Sequence, residues 1–202
     1  KDPYIKSLME LMFDANTREA FFRTPAAKRI HHNYPGGLLE HTCWVADLSL
    51  KVAESYPDIN RDLLLAGAML HDIGKIMEYK NGVSPQYTME GKLLGHIVIG
   101  SEMLSQKIAG MRLNGVNFPE RLEWMLKHML LSHHGSLEFG SPVIPLFPEA
   151  FVLHVVDNLD AKMYIFKTKI QDNDGDEEFF TNYDSFFAQQ FFTYRYKTED
   201  ES

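Results

Sequence analysis

The chain has 202 residues, 45% of them apolar and 24% charged, with a formal net charge of −8. That length and balance exclude a disordered or collagen-like chain and suit a domain with its own core. The acidity argues at first against a nucleic-acid partner, and a single cysteine, Cys43, excludes both an internal disulfide and a cysteine-rich zinc site and points to a reducing, cytoplasmic location.

Residues 5–22 are amphipathic and predict a first helix, ended by Thr24-Pro25. A loop with Asn33, Pro35, Gly36 and Gly37 precedes a helix over about 38–55, which Pro57 stops. Asp62 opens the next helix, which runs to the pair His71-Asp72, and Gly74 is expected to break it. Residues 80–90 read as a loop with a short hairpin. Helices follow at about 91–110, 119–134 and 148–169, the last two separated by a Gly-, Ser- and Pro-rich loop over 135–147. The longest apolar run, 63–70, is too short to cross a bilayer, so no membrane partner is expected. The fold class is therefore all-α, a compact helical domain.

Charge is spread unevenly. Residues 1–170 carry 18 basic and 19 acidic side chains, whereas residues 171–202 carry 2 and 9. The reading is a domain over 1–170 and an acidic, aromatic-rich C-terminal extension over 171–202 that packs on it. In that extension 172–178 is an acidic run, and 9 of the 18 residues over 179–196 are aromatic. A helix laying its aromatic face on the domain is the expectation; a stacking or docking surface is the alternative.

Histidines and carboxylates recur on apolar helix faces. His41 continues into Val45, Leu48 and Val52; His71 follows Leu64 and Ala68; His96 shares a face with Ile99 and Met103. His133 follows Leu122, Met125 and Met129, and Asp157 follows Ala150 and Leu153. Five helices thus point an imidazole or carboxylate toward one interior. A buried carboxylate without positive charge costs several kcal/mol, and Lys75 is the main cation near these faces. A metal centre satisfies all these groups, and histidine with carboxylate suits Mn, Fe, Co or Zn better than Ca or Mg. Adjacent helical side chains diverge by about 100°, so His71 and Asp72 reach one site only at a helix end. Asp72 is placed there to bridge two ions.

The set His41, His71-Asp72 and Asp157 resembles the signature of the HD superfamily of metal-dependent phosphohydrolases, an all-α fold, and His96 with His133-His134 resembles its two-metal branch. Gly36-Gly37-Leu38-Leu39-Glu40-His41-Thr42, residues 91–96, Leu131-Ser132-His133-His134-Gly135, Gly140-Ser141-Pro142 and Asp157-Asn158-Leu159-Asp160 are similar to the HD domain of YhaM-type bacterial 3′-to-5′ exoribonucleases. The resemblance covers about residues 22–162. It implies an HD helical bundle with one divalent ion on His41, His71, Asp72 and Asp157, and a second on Asp72, His96 and His133, with His134 a further candidate. Mn, Fe or Co lead as the ions; Zn, Ni and Mg stay open. Gly37 stands where some relatives place a glutamate for a third ion, so two are expected. Asp72 and Lys75 are the implied catalytic residues: a metal-bound hydroxide attacks phosphorus, and Lys75 neutralises a phosphate oxygen or assists the leaving group. The implied substrate is single-stranded RNA or a nucleotide, with His31, His32, Arg29 and Lys75 as candidate contacts. Relatives carry an OB-fold RNA-binding domain upstream, for which this chain has no room; a missing upstream domain or a homo-oligomer would supply that grip.

Other residues carry alternatives. His128 and His154 read as structural, with His154 one turn before Asp157 and able to support it. Asp160 either orients a ligand or is solvated, and Cys43 reads as a packed thiol. The competing functions are a nucleotide or alarmone phosphatase or pyrophosphohydrolase, a di-iron oxygenase, and a non-catalytic regulatory HD module.

Overall fold

The computed structural model describes residues 1–27, 34–80, 86–172, 179–185 and 187–194. Helix α1 (Pro3–Met12) starts on the Asp2 side chain, which accepts from the Ile5 N–H, and α2 (Ala15–Arg23) starts on Asp14, which accepts from Thr17. The single helix expected over 5–22 is thus two. Asp14 offers its side chain to an open helix start more favourably than to a helix interior, so the chain turns there. Helix α3 (Gly37–Ser55) follows, then α4 (Arg61–Leu70), which Asn60 caps, and the short α5 (Lys75–Glu78). Strands β1 (Tyr79–Lys80) and β2 (Gln86–Tyr87) form one antiparallel pair. Helices α6 (Met89–Leu113), α7 (Glu120–Ser132) and α8 (Pro148–Asp172) complete the order, with a 3₁₀ turn at Leu137–Phe139. The all-α expectation holds. No helix among the described residues is long and apolar enough to cross a membrane.

Contact density divides the chain within α8, into Lys1–Asp160 and Ala161–Ser202. In the first unit the core is built from stripes on six helices, α1, α3, α4, α6, α7 and α8: Leu8 and Met12, Leu38 and Val45, Leu63, Leu64 and Leu70, Leu104 and Ile108, Leu126 and Met129, and Leu153 and Val156, all buried. Helices α4 and α8 are pinned at their starts, where the Asn60 N–H donates to Glu149 Oε1 at 2.7 Å. In the second unit, Phe180 forms a bridge pair with Phe192 and Asp184 one with Gln189, rather than the helix expected there. The Phe166 ring on α8 meets the buried Phe191 and holds this segment to its end of the helix, and Phe187 packs on Phe191 within the segment. β-Branched and aromatic side chains favour such extended pairing over a helix. The acidic run over 173–178 lies outside the described residues.

Gly74 does not break α4 by its torsions, which are helical at φ −63° and ψ −18°. Its role is close approach: a Cβ there would collide with the His96 carbonyl oxygen and lie 2.7 Å from the Gly100 nitrogen. α5 and α6 can therefore touch backbone to backbone. At Gly110, further along α6, a Cβ would meet nothing within 4 Å. Gly74→Ala should accordingly lower the unfolding free energy by about 1–3 kcal/mol through overpacking. Gly110→Ala should raise it by about 0.5–1 kcal/mol through helix propensity. Urea denaturation of both variants checks the opposite signs.

Candidate metal centre

The histidines that matter sit where helices end. His71 follows the last residue of α4 and His133 the last of α7, and each Nδ1 bonds a carbonyl one turn back: Ala68 at 2.8 Å and Leu130 at 2.8 Å. Carbonyls in a helix's last turn lack an N–H partner, so the ring satisfies the helix and is itself oriented. After His71 the chain continues in tight turns, with the Ile73 N–H on the Leu70 carbonyl and the Lys75 N–H on that of Asp72. This geometry lets adjacent His71 and Asp72 face one interior.

His96 reaches the same interior by a break in α6. Gly95 has φ 73°, a torsion that favours glycine, and the kink presents both the backbone N–H and Nδ1 of His96 to Glu78 Oε1, at 3.0 and 3.2 Å. His41 comes from the first turns of α3 and donates from Nδ1 to Asp160 Oδ2 at 2.7 Å. His134 donates from Nδ1 to the Phe139 carbonyl at 2.8 Å. Every one of these rings thus spends its Nδ1–H on an outer acceptor, which turns Nε2 and its lone pair inward when the ring is neutral.

The inward atoms converge on Asp72. Its Oδ2 lies 3.7 Å from His41 Nε2, 3.3 Å from His71 Nε2 and 2.6 Å from Lys75 Nζ. Its Oδ1 lies 3.4 Å from His96 Nε2 and 3.6 Å from His133 Nε2. Asp157 Oδ1 joins the first side, 3.1 Å from His41 Nε2 and 3.8 Å from His71 Nε2. The Nε2 atoms of His41 and His71 are only 3.2 Å apart. Two groups among the described residues have ligand atoms close enough for one ion: His41, His71 and Asp72, and His96, His133 and His134.

Charge and hydrogen bonding fit a cation at this centre. Asp72 Oδ1, His96 Nε2 and His133 Nε2 are buried and have no hydrogen-bond partner, although buried polar atoms are almost always paired. Burial raises the pKa of Asp72, but the ammonium of Lys75 and the neighbouring imidazoles outweigh it and hold the carboxyl well below its usual range. Burial likewise raises Asp157, and hydrogen bonding to His41 pulls it down further. Burial lowers His41, yet bonds to Asp157 and Asp160 win and push it up to about 9. Burial lowers His133 and takes His134 down to about 4, keeping both neutral and able to ligate. The residues present therefore fit a divalent metal: electron-pair donors face a buried interior whose countercharge, among the described residues, is Lys75 and the His41 proton.

His41, His71, Asp72, His96, His133, His134, Asp157 and Lys75 are all brought together. His31, His32 and Arg29 lie outside the described residues. His128 is elsewhere, accepting from the Leu146 N–H at 3.1 Å. His154 bonds the His133 carbonyl at 2.8 Å, so it supports His133 rather than Asp157. Cys43 is exposed, not packed, because α3 turns that position to solvent. Glu78 is the residue sequence reasoning missed; its signal was a carboxylate one helical step after Lys75, directly behind the His71-Asp72 turn.

An all-helical domain with histidine and aspartate at its centre is the class this geometry defines. The HD domain family matches residues 38–162, and the chain belongs to it. Three bacterial proteins, each named 3′-5′ exoribonuclease YhaM, are similar to it. That of Geobacillus sp. (strain WCH70) is 45% identical over 145 residues, covering 72% of this chain and 43% of the relative. Those of Bacillus subtilis (strain 168) and Oceanobacillus iheyensis are 40% and 42% identical over 163 residues, covering 81% of this chain and 50% of theirs. The chain thus spans about half the length of the curated relatives it matches. No solved structure matches it significantly.

Three outcomes follow from these interactions. A cation must displace the His41 proton, so metal affinity should climb toward tenfold per pH unit from about pH 7 and flatten above about 9, as read by chelator competition. The metal-free protein behaves oppositely: the raised His41 pKa stabilises the fold below pH 6.5, and that contribution is lost as pH rises through about 9. Separately, Glu78→Ala should weaken metal binding about 10–100-fold by releasing His96, with the helical circular dichroism kept.

Proposed function

We propose that this chain is the HD part of a metal-dependent phosphodiesterase that removes nucleotides from the 3′ end of single-stranded RNA. The observation that carries it is Asp72, whose two buried oxygens each face a separate set of histidines. His41, His71, Asp72 and Asp157 would hold one divalent ion, and Asp72, His96, His133 and His134 the second, with Mn, Fe or Co best suited to the donors. Paired ions of this kind supply Lewis-acid polarisation of a phosphoryl oxygen and a hydroxide nucleophile at neutral pH.

The chain's own residues do the rest. Acceptors at Asp160, Glu78, Ala68 and Leu130 lock the imidazoles in the tautomer that offers Nε2. Lys75 keeps Asp72 ionised and puts a cation beside the place where phosphate charge develops. His31, His32 and Arg29 are proposed substrate contacts. We assign the wider grip on RNA to an upstream OB-fold domain or to oligomerisation, the chemistry to residues 1–170, and the activity to the cytoplasm. The relatives' name supports the RNA reading.

The test is a 5′-labelled single-stranded RNA incubated with Mn²⁺. The expected product is a ladder shortened one nucleotide at a time from the 3′ end, and Asp72→Ala should lose bound metal and cleavage together, to background. Intact RNA from protein that demonstrably carries metal would sink the proposal, as would an Asp72→Ala protein that still cleaves.

A further inference from the structure

The segment after His133-His134 is a closed loop tied to the metal centre. Besides the bond from His134 to the Phe139 carbonyl, the His154 ring lies against Gly135 while bonding the His133 carbonyl. The Ser136 carbonyl accepts from the N–H groups of Phe139 and Ser141, both at 3.2 Å, and the Leu137 carbonyl accepts from Gly140 at 3.0 Å. The loop's position is therefore set by its own backbone. Phe139, on the 3₁₀ turn, is nevertheless 70% exposed, and its neighbour Leu137 68%.

Covering an exposed phenyl ring is favourable, so a fixed loop that holds one in water invites an occupant. Placement says which. The ring hangs from the residue whose carbonyl bonds His134, and the His134 ring lies 5.2 Å from that of His96 and 4.3 Å from that of His133. The Phe139 backbone is thus one hydrogen bond away from a ring of the centre. Glu138, exposed on the same turn, disfavours a phosphate there and favours an uncharged, flat group.

We infer that Phe139 is the stacking platform for the base of the 3′-terminal nucleotide of the RNA substrate. The inference rests on the phosphodiesterase reading. Stacking on a phenyl ring is sequence-tolerant, because every base has a π-face, and it suits an enzyme that must remove whichever nucleotide comes next.

The experiment compares the full chain with Phe139→Ala and Phe139→Trp, with Mn²⁺, on RNA ending in a normal nucleotide and on RNA whose 3′-terminal nucleotide is abasic. Phe139→Ala should raise KM about tenfold on normal RNA, leave kcat and bound metal unchanged, and have no effect on abasic RNA. Phe139→Trp should restore KM, and its fluorescence should be quenched by AMP but not by ribose 5-phosphate. An unchanged KM on normal RNA overturns the inference, as does an equal loss on both substrates or an equal response to AMP and ribose 5-phosphate. Wild-type protein that cleaves neither RNA, alongside a tryptophan that still distinguishes AMP, overturns the phosphodiesterase reading and leaves the base platform standing.

Discussion

A single carboxylate with both oxygens buried organises this protein. Asp72 is 2% exposed, and removing an ionised carboxylate from water is tolerable only with strong compensation. Lys75 compensates one oxygen at 2.6 Å, while the other faces two imidazole nitrogens that have no hydrogen to give it when neutral. The interior is thus built short of positive charge, and a divalent cation is what its donor atoms suit.

The fold around Asp72 serves that shortage. Two histidines use the free carbonyls of helix C-terminal turns as anchors, so the same bonds finish the helices and aim the rings. Gly74 lets α6 come close enough for His96 to share the site, and the Gly95 kink turns His96 toward Glu78. Orientation by outer acceptors costs little at the moment of binding, because each ring is already held.

Much of this was legible in the sequence because periodicity reports on burial. The stripes behind His41, His133 and Asp157 placed those side chains inward, and the His71-Asp72 pair demanded a helix end. What escaped depends on contacts between elements distant in sequence or on local competition. Glu78 matters only because a kink at Gly95 brings His96 to it, and no helical pattern announces that. The Asp14 break in the first helix came from capping, which outweighed an uninterrupted amphipathic stripe. The aromatic tail suggests a helix face, yet Phe180 bridges Phe192 and Asp184 bridges Gln189 through the backbone. Gly74 suggests a helix breaker, yet its missing Cβ is what counts.

Acidity, finally, is a poor guide to partners when it is unevenly placed. The net charge of −8 lies almost wholly beyond residue 170, and the ligand-bearing part is close to neutral before any cation enters. In the proposed site Asp72 is shared by two cations. The most direct measurement is anomalous diffraction from manganese-loaded crystals, which counts the ions and places each one. Two ions per chain are expected, one on each side of the Asp72 carboxylate. A single ion, or two that do not share Asp72, would contradict it.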